Sequence, residues 1–150
     1  MPGYQTMFRK GAKSLSWASA SKKLSKAHNY WLSTIGPNRK PHTMPVWGVW
    51  FDQAFYFSTG PRSRKARNIE KNPNCVICPE NAEIAIILEG QARKASPNPL
   101  LRRVVKNYER KYNWKMQGSE DSFYRVQPMK AFGIVESGAS NPTRWSFPRT

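Results

Sequence analysis

Arg62, Arg64, Lys65 and Arg67 fall within six residues of one another. They follow a strand-like aromatic run over residues 55–58 that ends in the hydroxyls of Ser58 and Thr59, then a Gly60-Pro61 turn. Four cations that close repel one another, and a bound anion relieves the repulsion. Ser63 has the residue type of a helix N-cap. A helix starting there offers free N–H groups and a partial positive charge to an anion. Arg grips phosphate through two parallel hydrogen bonds, and Lys acts as a compact point charge. The spacing alone also fits a solvated basic face, since the chain carries a net charge of +16.

Other chemistries find little support. His28 and His42 stand apart with no nucleophile motif beside them. The sequence holds no G-x-S-x-G, H-E-x-x-H or Walker motif. Nothing marks a carboxylate pair among the nine acids. Cys75 and Cys78 form a C-x-x-C, but in a β-prone run between Pro73 and Pro79. Residues three apart on a strand face opposite ways, so plain thiols are favoured over a metal or redox site.

The elements that must position these residues can be read from periodicity. Trp17, Ala20, Leu24 and Ala27 recur at helical spacing, predicting a helix over 14–28. Residues 30–35 are β-prone, and 36–39 read as a turn. Residues 42–51 read as one strand that is apolar on both faces, with Pro45 indicating an edge or bulge. Gly48 leaves room for a close approach. Asp52-Gln53 turns the chain into residues 54–58, making a hairpin. A helix from Ser63 to Asn72 is followed by strands at 75–78 and 84–92. Asn98-Pro99 opens a helix whose face is Leu100, Leu101, Val104, Val105, Tyr108 and Tyr112. Residues 123–126 and 131–135 read as two further strands, and the segment around Trp145 as a last short one. Consecutive hairpins with interspersed helices predict a mostly β, α+β fold built on a small antiparallel barrel.

At 150 residues the chain suits one domain over 14–150, preceded by a basic arm over 1–13 expected to be mobile. No apolar run reaches a membrane-spanning length, and the N-terminus has no apolar signal region. A cytoplasmic location is the expectation. No Asp or Glu precedes Asp52, so the positive field is concentrated in the first third. Such a field attracts polyanions, whether nucleic acid, an anionic membrane surface or a phosphorylated or polycarboxylate small molecule.

The order of motifs carries a resemblance. A "WLST" strand, a "G-x-x-R-K-P-H" turn, the "PVWGVW" and "FYFSTG" strands and the "SRKARNIEKNP" helix follow one another, with "IILEGQA", "YRVQP" and "TRWSF" later. Over residues 28–147 this succession resembles the pyridoxamine 5′-phosphate oxidase-like superfamily of flavin and deazaflavin oxidoreductases. The resemblance implies a six-stranded antiparallel split β-barrel of the FMN-binding type with flanking helices. It implies a homodimer with cofactor at the subunit interface. It assigns the cofactor phosphate to Arg64 and Lys65, and the phosphate and ribityl chain to the strand Phe57, Ser58, Thr59. It sets Thr43, Met44, Pro45, Val46 and Trp47 beside the isoalloxazine ring. Gln91 occupies a strand position where relatives contact the cofactor, and Trp145, with Arg144 beside it, reaches the ring from the C-terminal end. Pyridoxamine 5′-phosphate oxidase proper begins the ring-facing strand with an Arg, and this chain has Thr43 there, which argues against vitamin B6 oxidation itself.

The implied activity is an oxidoreductase that transfers a hydride between cofactor and a small organic substrate. FMN and the deazaflavin coenzyme F-420 are both used in this superfamily, and the acid-free first third would suit the oligoglutamate tail of F-420. FMN is the marginal preference. Two other readings stand beside it. Basic charge with aromatics is the footprint of a nucleic-acid-binding barrel. The same fold can also carry a cofactor without turnover.

Overall fold

The computed structural model describes residues 10–117, 122–138 and 140–148. Its helices are α1 (Trp17–Lys26), α2 (Arg64–Lys71) and α3 (Pro99–Tyr112). Its strands are β1 (Tyr30–Ile35), β2 (Pro41–Val46), β3 (Gly48–Phe51), β4 (Ala54–Ser58), β5 (Asn74–Pro79), β6 (Ile84–Lys94), β7 (Phe123–Val135) and β8 (Thr143–Ser146). Every strand pairing is antiparallel.

The strand order is β2-β1-β5-β6-β7-β4-β3, with β8 added on β7. The two end strands of that order, β2 and β3, are neighbours in sequence, separated only by Trp47. A flat sheet cannot satisfy this, so the sheet curls until its ends meet. The result is the split barrel. The sequence reading made 42–51 one strand. The chain instead breaks at Trp47, because β2 pairs with β1 while β3 pairs with β4. Coverage on both faces holds only for β3; four of the six residues of β2 are exposed, as befits an end strand containing Pro45.

The interior is filled by Tyr30, Leu32, Phe55, Phe57, Ile77, Ile86, Leu88 and Val126, closed by Ala20 and Leu24 of α1 and by Ala66 and Ile69 of α2. Strand alternation sends Val49, Ala54 and Tyr56 to the outer face, where α3 covers them with Leu101, Val104, Val105, Tyr108 and Tyr112. Gly48 is required by a close approach: a Cβ there would lie 2.2 Å from the Phe55 ring and 2.8 Å from the Tyr56 carbonyl oxygen.

The helix ends follow their capping residues. Ser63 accepts from the Ala66 amide, and Asn98 from the Leu101 amide with Pro99 next to it. The tight turn at Asp52-Gln53 has positive φ at both residues (49° and 57°), the backbone twist that two-residue hairpins need.

Residues 123–135 form one strand, not two. Lys130 faces Glu89 and Pro128 faces Gly90, so Met129 is the extra residue of a bulge. The bulge accommodates Pro128 within the strand. Ala12 and Lys13 are tied to the C-terminal segment through the Asn141 side chain and amide. Residues 1–9 of the expected arm lie outside the described residues. Cys75 and Cys78 are free thiols on β5, Cys75 buried and Cys78 half-buried. Burial pushes the Cys75 thiol up to about 12 and raises Cys78 as well.

Candidate functional site

The start of α2 forms one wall of a polar corner. Ser63 Oγ holds the Ala66 amide at 3.2 Å and also receives a hydrogen bond from Thr59 Oγ1 at 3.1 Å. The hydroxyl-ended strand β4 is thereby fixed to the helix cap. The amides of Arg64 and Lys65 lie in the first turn, where an α-helix has no intrahelical acceptors. No acidic residue occupies that turn.

Two further elements close the corner. Asn68 is one helical turn beyond Arg64, on the same face. Its buried Nδ2 donates to Thr34 Oγ1 of β1 at 2.9 Å. The Gly36 turn supplies a cradle: a Cβ there would sit 3.2 Å from the Lys40 carbonyl oxygen, 3.6 Å from Asn68 Oδ1 and 3.7 Å from an Arg64 Nη. From β2, His42 faces the same cations. Its pKa lies below the usual histidine value, first through burial and then through the charges of Arg64 and Lys65. Its Nδ1 is enclosed and has no hydrogen-bond partner among the described residues. An anion held by Arg64 and Lys65 would offset the like charge and offer that nitrogen an acceptor. A phosphate group fits these residues.

The other expected site residues are distributed around this corner and beyond it. Ser58 Oγ lies 2.6 Å from Ser122 Oγ, in the strand end that leads to the corner. Phe57 is fully buried against Tyr124, so only its backbone faces elsewhere. On β2, Thr43 Oγ1 lies 2.8 Å from Ser33 Oγ across the strand pair, and Thr43, Met44 and Pro45 are exposed. Val46 turns into the core. Trp47 stacks on Tyr112 with ring centroids 4.6 Å apart and planes 5° from parallel. Gln91 is on the outer face of β6, where its Nε2 donates to Asn74 Oδ1 at 3.2 Å. Trp145, on β8, packs against Trp17 of α1 at 5.3 Å. Arg64, Lys65 and Thr59 are therefore brought together, while Gln91 and Trp145 occupy other faces of the chain.

Thr34, Gly36 and Asn68 are absent from the sequence-based set. Asn68 could have been found from its i, i+4 spacing to Arg64 on the predicted helix. Thr34 and Gly36 come from a strand and turn that reach the corner only through the fold. His42 begins the predicted strand over 42–51 but lies one residue before the Thr43–Trp47 segment expected beside the ring, at the end of the "G-x-x-R-K-P-H" turn.

The fold is an antiparallel split barrel with a cationic corner at a strand-to-helix turn. The pyridoxamine 5′-phosphate oxidase family model matches residues 18–134, and the chain belongs to that family. Among solved structures, an F-420 reductase is 18% identical with a TM-score of 0.59, over 74% of this chain and 94% of its own. The heme storage protein HutZ from Vibrio cholerae is 17% identical with a TM-score of 0.62, over 75% and 89%. The General Stress Protein 26 from Bacillus anthracis str. Sterne is 21% identical with a TM-score of 0.62, over 84% and 98%. At these identities the likeness is one of fold. No curated protein sequence matches the chain significantly.

Proposed function

We propose that this protein is a flavin- or deazaflavin-dependent oxidoreductase acting on a small organic substrate, with FMN slightly favoured over F-420. The observation that carries the reading is the corner of Arg64, Lys65 and the enclosed, unpartnered His42 Nδ1 at the capped start of α2. Arg64 and Lys65 would hold the phosphate, and Thr59 and Ser63 would line the chain leading from it. The cofactor ring, when bound, supplies hydride acceptance and donation. The protein's part is to bind, to orient and to exclude water.

A second copy of the chain would complete the site. Trp31 (48% exposed), Met44 (42%) and Trp47 (39%) leave apolar surface bare around β1 and β2. Register places Trp31 beside Pro45 on one face of the strand pair, with Met44 opposite core-facing Leu32 on the other, and the Trp31–Pro45 face is the contiguous bare surface. A homodimer burying it would also cover the strand expected beside the ring. A cytoplasmic location is part of the same proposal; among the described residues no helix is long and apolar enough to cross a membrane.

The test is direct. The purified protein is scanned for bound chromophore, then titrated with FMN, F-420 and hemin. Micromolar binding of either FMN or F-420, weakened by Lys65→Ala, is the expected result. Binding of neither overturns the reading, and tight hemin binding alone would replace it with a heme-handling role. Oligonucleotide binding that vanishes at physiological salt would be general charge attraction.

A further inference from the structure

The outer face of β6 and β7 carries a second cationic groove. Arg93 faces Arg125 directly across the strand pair, and Gln91 faces Gln127. Tyr56, Lys94, Asn98 and Leu100 complete a cavity of about 560 Å³ with them. Like charges directly opposite each other destabilise a sheet. Among the described residues no carboxylate pairs with Arg93, Lys94 or Arg125. Arg125 Nε donates to Tyr56 Oη at 3.2 Å, which fixes the guanidinium and leaves its terminal nitrogens free. Gln127 Oε1 is buried in the same wall without a hydrogen-bond partner. The start of α3 borders the groove, with no acidic residue in its first turn. A merely solvated basic surface explains neither the opposed arginines nor the enclosed amide oxygen.

We infer that this groove binds a phosphate monoester of a small hydroxylated molecule. The two guanidinium groups take the phosphate oxygens, and the orphaned Gln127 Oε1 accepts from a ligand hydroxyl. The volume matches a ligand of that size. The groove is distinct from the corner at α2. Ala92 and Tyr124, next in sequence to Arg93 and Arg125, point the opposite way on their strands, toward the α2 side of the sheet. None of the groove's lining residues belongs to the corner of Thr34, Gly36, His42, Ser63, Arg64 and Lys65.

Calorimetric titration of the intact protein with ribose 5-phosphate, inorganic phosphate and citrate tests the assignment. Ribose 5-phosphate is expected to bind more tightly than the other two. Arg93→Gln and Arg125→Gln each weaken it at least tenfold, while Arg102→Gln, an equal loss of charge on the exposed side of α3, does not. Lys65→Ala leaves it unchanged, which separates this groove from the cofactor corner. Arg93 is exposed and makes no fold contact that its variant would break. An equal loss in all three arginine variants, tighter binding of citrate, or no ribose 5-phosphate binding at millimolar concentration would overturn the proposal.

Discussion

Tyr112 Oη lies 2.8 Å from both the amide nitrogen and the carbonyl oxygen of Gly48, and 2.7 Å from the carbonyl oxygen of His28. Gly48 is the first residue after the Trp47 break. One hydroxyl on α3 thus serves the backbone at the point where the chain crosses from one end of the sheet to the other. It accepts from the Gly48 amide and donates to a carbonyl. Tyr112→Phe should lower stability by about 1–3 kcal/mol, the cost of leaving buried backbone groups unmade. Urea denaturation reads this directly. Because the Trp47 ring stacks on Tyr112, an unchanged midpoint would show that the ring contact and not the hydroxyl holds the junction.

Lys111 works beside it, donating to the Gly48 carbonyl oxygen at 2.7 Å and to Tyr30 Oη at 2.8 Å. Burial pulls its pKa down to about 8, with Glu80 acting weakly the other way. Between that value and the ordinary lysine range, the unfolded chain binds a proton that the folded chain has released. Stability therefore rises with pH from about 8. Tyr30, Tyr108 and Tyr112 are all raised, mainly by burial. Once the unfolded tyrosines ionise, near pH 10, the folded state keeps protons that the unfolded state loses, and stability falls. A maximum between those limits is expected in thermal melts. Lys111→Met should abolish the rise and keep the fall; a melt profile identical to that of the parent would refute this role.

Lys65→Ala should weaken cofactor binding by about 1.5–3 kcal/mol, roughly ten- to hundredfold, from loss of a charge-assisted bond. Lys65 is only half-buried, so the melting temperature should barely move. Fluorescence titration with FMN and with F-420 measures the first effect. Arg64→Ala should behave similarly, and an unaltered affinity in both variants would remove the phosphate from this corner.

Gly90→Ala tests the bulge. A Cβ at Gly90 would lie 2.4 Å from the Gln127 carbonyl oxygen, a backbone atom that cannot swing aside. A loss of about 1–3 kcal/mol is expected from the strain. Denaturation should show it, and an alanine tolerated without loss would mean that β6 and β7 can part locally.

Trp31→Lys addresses the proposed second subunit. Trp31 is exposed in the protomer, so the fold should survive. Sedimentation should show dissociation to monomers together with weaker cofactor binding. A stable dimer with full affinity would place the interface elsewhere.

What could be read from sequence was what local chemistry decides. Ser63 and Asn98-Pro99 announced their helices because capping is a matter of a few adjacent residues. The run 30–35 and the turn at Asp52-Gln53 were legible for the same reason. The break at Trp47 was not, since the residues on both sides are apolar and β-prone and the choice of partner strand is made elsewhere in the chain. The continuity of β7 was hidden by Pro128, whose accommodation depends on a bulge involving another strand. At the site, Arg64 and Lys65 stood out by charge density. Thr34, Gly36 and the orphaned His42 nitrogen did not, because their part arises from tertiary contact with α2.

The one-residue joint at Trp47 closes the barrel's seam through the backbone. Fraying of the β3–β4 hairpin must pull on β2, and β2 carries His42 to the cationic corner. The amides of β2 and β3 should then exchange with solvent as one cooperative unit although they never pair with each other. Loosening the far edge of the sheet would loosen the hold that β2 gives His42 beside Arg64 and Lys65.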